Sequence, residues 1–266
     1  MAANVSLQEI KGDTWRRGLG SLLRRENGKW WGSRRWIVQM VLWILVLDGA
    51  LAFGLFVLPE MAAADGMAIS AAEAFETGRQ MFFGLGVLAL AIGAIVLLQD
   101  AIIEEKVSGT AEWVLSKPVS RTAYVVAKLF PNLLGMALTM LLVPGLLGYA
   151  LFGSAGANFT VRGFLASEAI VALNLLFYVS LTLMLGVLFR SRAPLLGVAL
   201  GSLFGGSLVP IAAVVQFTPW KLSELSILPV MGMPLPEIAT TMLVSTVAWS
   251  MIFIALAIWQ FNRQEF

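Results

Sequence analysis

The sequence predicts an all-α membrane protein with six transmembrane helices, an amphipathic interfacial helix ahead of the first, and both termini in the cytoplasm. Three observations carry this. Of the 266 residues, 59 % are hydrophobic and only 13 % charged, about half the charged share of an average soluble domain. The charges are swept out of six apolar runs: Trp36 to Leu58, Gln80 to Leu98, Leu129 to Phe152, Gly163 to Phe189, Ala193 to Phe217 and Ile238 to Phe261. Each reaches the ~18 to 20 residues a helix needs to cross ~30 Å of hydrocarbon. Finally, Lys and Arg alternate between the loops. Eight precede the first run, four lie between the second and third, two between the fourth and fifth, and Arg263 follows the sixth. The remaining three loops hold one each: Arg79, Arg162 and Lys221. Cytoplasmic loops retain basic residues, so this distribution orients the chain.

Residues 1–35 read as a cytoplasmic segment and 36–266 as one membrane domain. The opening is polar and basic, and the apolar run behind it is too long for a signal-peptide core, so no cleavable signal is expected. Within it, Trp15, Leu19, Leu22 and Leu23 share one helical face while Arg16, Arg17, Arg24 and Arg25 fall largely off it. That is the pattern of a helix lying in the headgroup plane with its basic face toward anionic lipid. Trp30, Trp31 and Trp36 then suit an aromatic belt where the chain enters the bilayer. Pro59 to Arg79 reads as an external loop. The last external segment carries Pro219, Pro229, Pro234 and Pro236 around a short apolar stretch, Trp220 to Ile227, expected to make two helical turns that dip into the outer leaflet or cap the bundle.

One long polar interruption remains, the cytoplasmic loop 99–128, whose centre reads EEKVSGTAEWVLSKPVSR from Glu104 to Arg121. Ile103, Val107, Ala111, Val114 and Leu115 form roughly one apolar stripe, with Glu104, Glu105, Lys106 and Glu112 on other faces. Gly costs ~1 kcal/mol in a helix interior, and Ser and Thr favour caps. Ser108-Gly109-Thr110 therefore predicts a break, and a second short helix begins there with Glu112 near its positive end. Pro118 stops that helix, and Ser120 caps the next, which carries Arg121 and Lys128 into the third span. Trp113, Val114 and Leu115 are expected to be exposed beside charges. Four carboxylates disfavour anionic lipid as the sole partner, so a protein partner fits better.

The residues Glu105, Gly109, Thr110, Glu112, Leu115, Ser116, Pro118, Ser120, Arg121 and Lys128 resemble the cytoplasmic loop of type-2 ATP-binding-cassette (ABC) permeases. With six spans and a basic amphipathic N-terminal helix, the resemblance covers essentially the whole chain. It is nearest in character to permeases encoded beside multicopper-enzyme maturation genes and to small bacterial drug or lipid exporters. It implies a multi-pass protein of a prokaryotic inner membrane, the permease subunit of an ATP-driven exporter. Loop 99–128 would be the coupling helix that docks on a separately encoded ABC ATPase, braced by the N-terminal helix. The resemblance assigns that coupling to Glu104, Glu105, Gly109, Thr110, Glu112, Trp113, Leu115, Ser116, Pro118 and Arg121. It implies a second permease copy or homologue, no nucleic-acid partner, and no cofactor bound directly: ATP and Mg²⁺ belong to the ATPase. The chain has no GxxxxGK phosphate loop, since position 23 before Gly28-Lys29 is Leu, so it is not expected to be an enzyme.

Other residues are candidates from chemistry. Asp48 lies mid-span, where a carboxylate costs ~2.5 to 3.5 kcal/mol on insertion scales, so it should face protein or water. Glu168 lies near the outer end of the fourth span, with Asn174, Tyr178 and Thr182 following on one stripe. Asp48, Glu168, Asn174 and Tyr178 are candidates for a substrate pathway, and the Asn and Thr could equally tie helices together. Gly197, Gly201 and Gly205 recur every fourth residue, a spacing that lets helices or subunits approach closely. The chain has no Cys and no His. Met61, Met67, Met231 and Met233 are soft donors but also ordinary filler at membrane interfaces, so no metal site is assigned. Two other function classes remain open at this stage. One is an ion-gradient transporter using Asp48 or Glu168; the other is a scaffold recruiting a cytoplasmic partner through the loop.

Overall fold

A computed structural model describes residues 15–157, 159–205 and 212–264, and every regular element in them is helical. We number the helices in chain order: α1 Leu19–Trp31, α2 Arg35–Ala64, α3 Ala71–Val107, α4 Thr110–Leu115, α5 Arg121–Ser154, α6 Val161–Leu188, α7 Arg192–Phe204, α8 Ala212–Val215, α9 Leu222–Ile227 and α10 Glu237–Arg263. Five of them, α2, α3, α5, α6 and α10, are long and apolar enough to cross a membrane. The expected fifth span, Ala193 to Phe217, is represented by α7 and α8; residues 206–211 between them lie outside the described residues. Its 13 described residues in α7 are apolar but below spanning length.

The bundle is organised around α6. Its side chains are buried along most of its length, packed mainly by α10 and α3. It is apolar on all faces, as a helix surrounded by other helices should be. By contrast, α2 and α10 leave Val38, Leu45, Val244 and Met251 exposed, the residue types a hydrocarbon solvent accepts.

The expected loop from Pro59 to Arg79 is mostly helix. Helix α2 runs on to Ala64, and α3 starts at Ala71. The reasons are local: the stretch is rich in Ala, the strongest helix former, and Ser70 and Glu73 make a reciprocal capping box. Ser70 Oγ accepts from the Glu73 amide (3.3 Å) and Glu73 Oε2 from the Ser70 amide (2.8 Å). Only a turn around Gly66 (φ 77°) remains.

The Pro-rich segment caps the bundle at the end opposite the charged loop. Helix α9 buries Leu222, Leu225 and Ser226 and packs on α6 and α3. Trp220 Nε1 donates to the Ser202 carbonyl (2.5 Å), and the Val230 amide donates to Ser167 Oγ (3.1 Å). A side chain at Gly163 would collide with the Pro229 carbonyl, so glycine there permits the close approach.

Helix α1 forms, but its buried face seats it on the protein. Leu22, Glu26 and Trp30 are buried, chiefly against the start of α5. Trp30 therefore does not join an aromatic belt. It is packed over Gly135, where any Cβ would overlap the indole.

Candidate functional site

The charged loop folds much as its local signals require. Helix α3 ends at Val107; Gly109 takes φ 71°, a left-handed value natural to glycine; and α4 runs from Thr110 to Leu115. The chain turns through Pro118, and Ser120 Oγ accepts from the Ala123 amide (2.9 Å), capping α5.

Which side chains face inward differs from expectation at three positions. Val114 is buried and Leu115 half-buried against the core, whereas Val107 is 73 % exposed. Ile103, Ala111 and Val114 are buried and Leu115 packs on the core, so the apolar stripe runs through both helices and faces inward, and Val107 at the end of α3 alone leaves it. What the loop presents outward is Val107, Glu112, Trp113, Ser116, Lys117 and Pro118. Trp113 is 61 % exposed, with the Lys117 ammonium 3.5 Å from its ring centroid.

Glu105 belongs to the inner face. It is buried, and Lys128 Nζ donates to it at 2.6 Å, Lys29 Nζ at 2.8 Å, Arg25 at 3.2 Å and the Tyr124 hydroxyl at 2.6 Å. Lys128 and Lys29 both also donate to Glu26 at 2.9 Å. Burial alone would pull the Lys29 ammonium down, but its hydrogen bonds to Glu105 and Glu26 outweigh that and hold its pKa above the usual range. Around this cluster Trp30 Nε1 donates to Asn132 Oδ1 (2.9 Å), and Asn132 Nδ2 to the Lys128 carbonyl (2.7 Å). The Arg35 guanidinium covers the Trp30 ring at 4.6 Å. Buried charge is tolerated here because every partner is a charge or a hydrogen-bonding group. Sequence reading missed Glu26, Lys29, Tyr124 and Asn132. A signal for Glu26 existed: it lies on the apolar face of α1 in register with Leu19, Leu22, Leu23 and Trp30.

Two further cations fasten the loop to helix ends. Lys106 Nζ donates to the Gly186 carbonyl (3.1 Å) and to that of Val187, at the C-terminus of α6. Arg121 donates to the carbonyls of Asn262 and Gln264, each at 2.7 Å, at the end of α10. Both satisfy orphan carbonyls where the helix dipole favours positive charge. Arg192 pairs with Asp100, tying α7 to α3. The loop is thus bonded to α1, α5, α6 and α10 on its inner side and bare on its outer side. Glu104, on the rim, is exposed beside a cleft of about 340 Å³ lined also by Arg25, Lys29 and Arg35.

The pathway candidates separate into two kinds. Asn174 is buried and donates to the Val87 carbonyl (3.0 Å), joining α6 to α3, and Tyr178 is buried against Phe177, ring centroids 5.1 Å apart. Asp48 is 5 % exposed, and neither carboxylate oxygen has a hydrogen-bond partner among the described residues. Glu168 borders an apolar groove. Gly197 and Gly201 face open space, while Gly205 lies against Trp220 of the same chain. No group of three or more Asp or Glu suited to a metal ion occurs among the described residues.

A bundle of membrane-length helices with one firmly fastened polar loop defines a multi-pass membrane protein. The sequence model described as ABC-2 family transporter protein matches residues 22–228, from α1 through the cap. The chain belongs to that family, and is thereby a membrane permease component of an ABC transporter. No curated protein matches it.

Proposed function

We propose that this chain is the transmembrane subunit of an ATP-driven exporter in a prokaryotic inner membrane, with loop 99–128 docking on a separately encoded ABC ATPase. The observation that carries the reading is the two-sidedness of the loop. Its outer face offers an exposed aromatic, Trp113, beside Glu112 and Val107, and Trp is the residue type most enriched in docking hot spots. Its inner face is bonded to α1, α5, α6 and α10 through Glu105, Lys106, Lys128 and Arg121. A push on Trp113 would therefore shift several helix ends together as a rigid unit. Two ATPases closing on ATP would rock two permease copies between inward- and outward-facing states; Gly197 and Gly201, on an open face, suit the contact between copies. The alternating basic loops support a cytoplasmic position for α1 and both termini, with the exposed Arg24 available to lipid headgroups.

Co-purification with the cognate ABC ATPase, co-expressed, tests this. Glu112→Lys and Trp113→Ala are expected to release the ATPase while leaving the permease folded. ATPase retained at wild-type levels by both variants would refute the assignment.

A further inference from the structure

Asp48 and Glu168 come from different helices and meet the same edge of a third. Asp48 ends a wide π turn of α2, Ile44–Asp48, an irregularity frequent at functional sites. Glu168 lies seven residues from the start of α6, ~10 Å along its axis. Between them runs α5, which presents glycine to each. A Cβ at Gly148 would stand 3.3 Å from Asp48 Oδ1, and one at Gly145 would stand 3.2 Å from the Glu168 carboxyl carbon and Oε1. The two glycines are one turn apart, so the carboxyl groups lean on neighbouring positions of one helix face. Neither takes part in an ion pair among the described residues, and Asp48 has no hydrogen-bond partner at all there.

Glu168 also opens outward. It is the sole charged lining residue of a groove of about 640 Å³ between α5 and α6, whose walls include Leu138, Leu142, Leu146, Tyr149 and Leu165. These walls are apolar, and Leu142, Leu146 and Leu165 are exposed on the outside of the bundle. A carboxyl group in such surroundings either keeps its proton or meets a cation. A bare metal ion is poorly served, because two carboxylates fall short of the six or more oxygens that hard cations collect. An anionic or phosphate-bearing headgroup would be repelled. What complements the groove is a hydrophobic body carrying one positive, hydrogen-bonding nitrogen.

We propose that the groove between α5 and α6 binds lipophilic ammonium compounds from the bilayer, with Glu168 taking the ammonium and Asp48 supplying a second negative charge behind it. This names a substrate class for the exporter and so rests on the transport reading, but the binding step needs no ATPase.

The test is equilibrium dialysis of radiolabelled decylamine against the full chain in phosphatidylcholine nanodiscs, with empty nanodiscs as background and decanol as the uncharged isostere. Saturable decylamine binding without decanol binding is expected. Glu168→Gln should weaken it at least about tenfold, as loss of a desolvated charge partner does, and Asp48→Asn by a smaller factor. Both variants remove a carboxyl group that has no cation partner among the described residues, so their melting temperatures should be at or above wild type, which excludes unfolding as the cause. Equal binding by Glu168→Gln and wild type, or equal uptake of decanol, overturns the proposal. ATPase co-purification with Glu168→Gln stays at the wild-type level if the two readings are independent. Failure of the groove therefore leaves the docking assignment standing, and failure of docking leaves the groove.

Discussion

The protein sets two pairs of carboxylates within its helical bundle and treats them in opposite ways. At the loop end, Glu26 and Glu105 are met by Lys128 and Lys29, with Arg25 and Tyr124 completing Glu105. In the other half of the bundle, Asp48 and Glu168 have neither cation nor salt bridge among the described residues, only glycine edges and apolar walls. A fully satisfied network fixes the relative positions of the helices that supply it. An unsatisfied one costs stability and so points to a role in ligand binding. The first set ties helices together; the second is where we propose a ligand binds.

Substitutions can break this contrast. The largest effect is expected for Lys128→Met, which removes the most deeply buried cation and leaves Glu26 and Glu105 to share Lys29, with Arg25 and Tyr124 still on Glu105; removing one partner of a buried pair costs about 3 to 5 kcal/mol, read as a fall in melting temperature of the nanodisc-embedded chain. Asp48→Leu should act with the opposite sign. Deleting an unpaired buried polar group is worth about 1 to 3 kcal/mol, so the same melt should move upward while export falls. A drop for Asp48→Leu would show hidden pairing and erase the contrast. Gly109→Ala should cost about 1 kcal/mol, because its φ is left-handed though nothing lies within 4 Å of the added methyl; faster proteolysis at the loop would register it. Lys29→Met comes last. Its side chain is 42 % exposed, water screens the pair, and about 0.2 to 1 kcal/mol is expected.

The sequence revealed features set by local chemistry. Apolar run length announced α2, α3, α5, α6 and α10, and the Ser108-Gly109-Thr110 break and the Ser120 cap lie where backbone preference puts them. The loop-end network was not legible, because Glu26 and Lys128 are 102 positions apart and no spacing rule pairs them. The facing of α4 was misread for a similar reason. The apolar stripe itself was legible, but its direction was not: Ile103, Ala111 and Val114 turn it toward the bundle, and Val107 alone is bared at the end of α3. Asp48 and Glu168 stood out singly as charges among apolar residues, but their meeting at Gly145 and Gly148 is a property of three helices together.

The central claim, that the loop's outer face receives an ATPase, can be tested one atom at a time because the chain has no cysteine. Trp113→Cys and Val114→Cys put a single thiol on the outer and inner faces of α4. With a short photoactivatable crosslinker on that thiol, membranes co-expressing the cognate ATPase should yield a permease–ATPase adduct from position 113 and none from position 114. No adduct at 113, or equal adducts at both positions, would contradict the account.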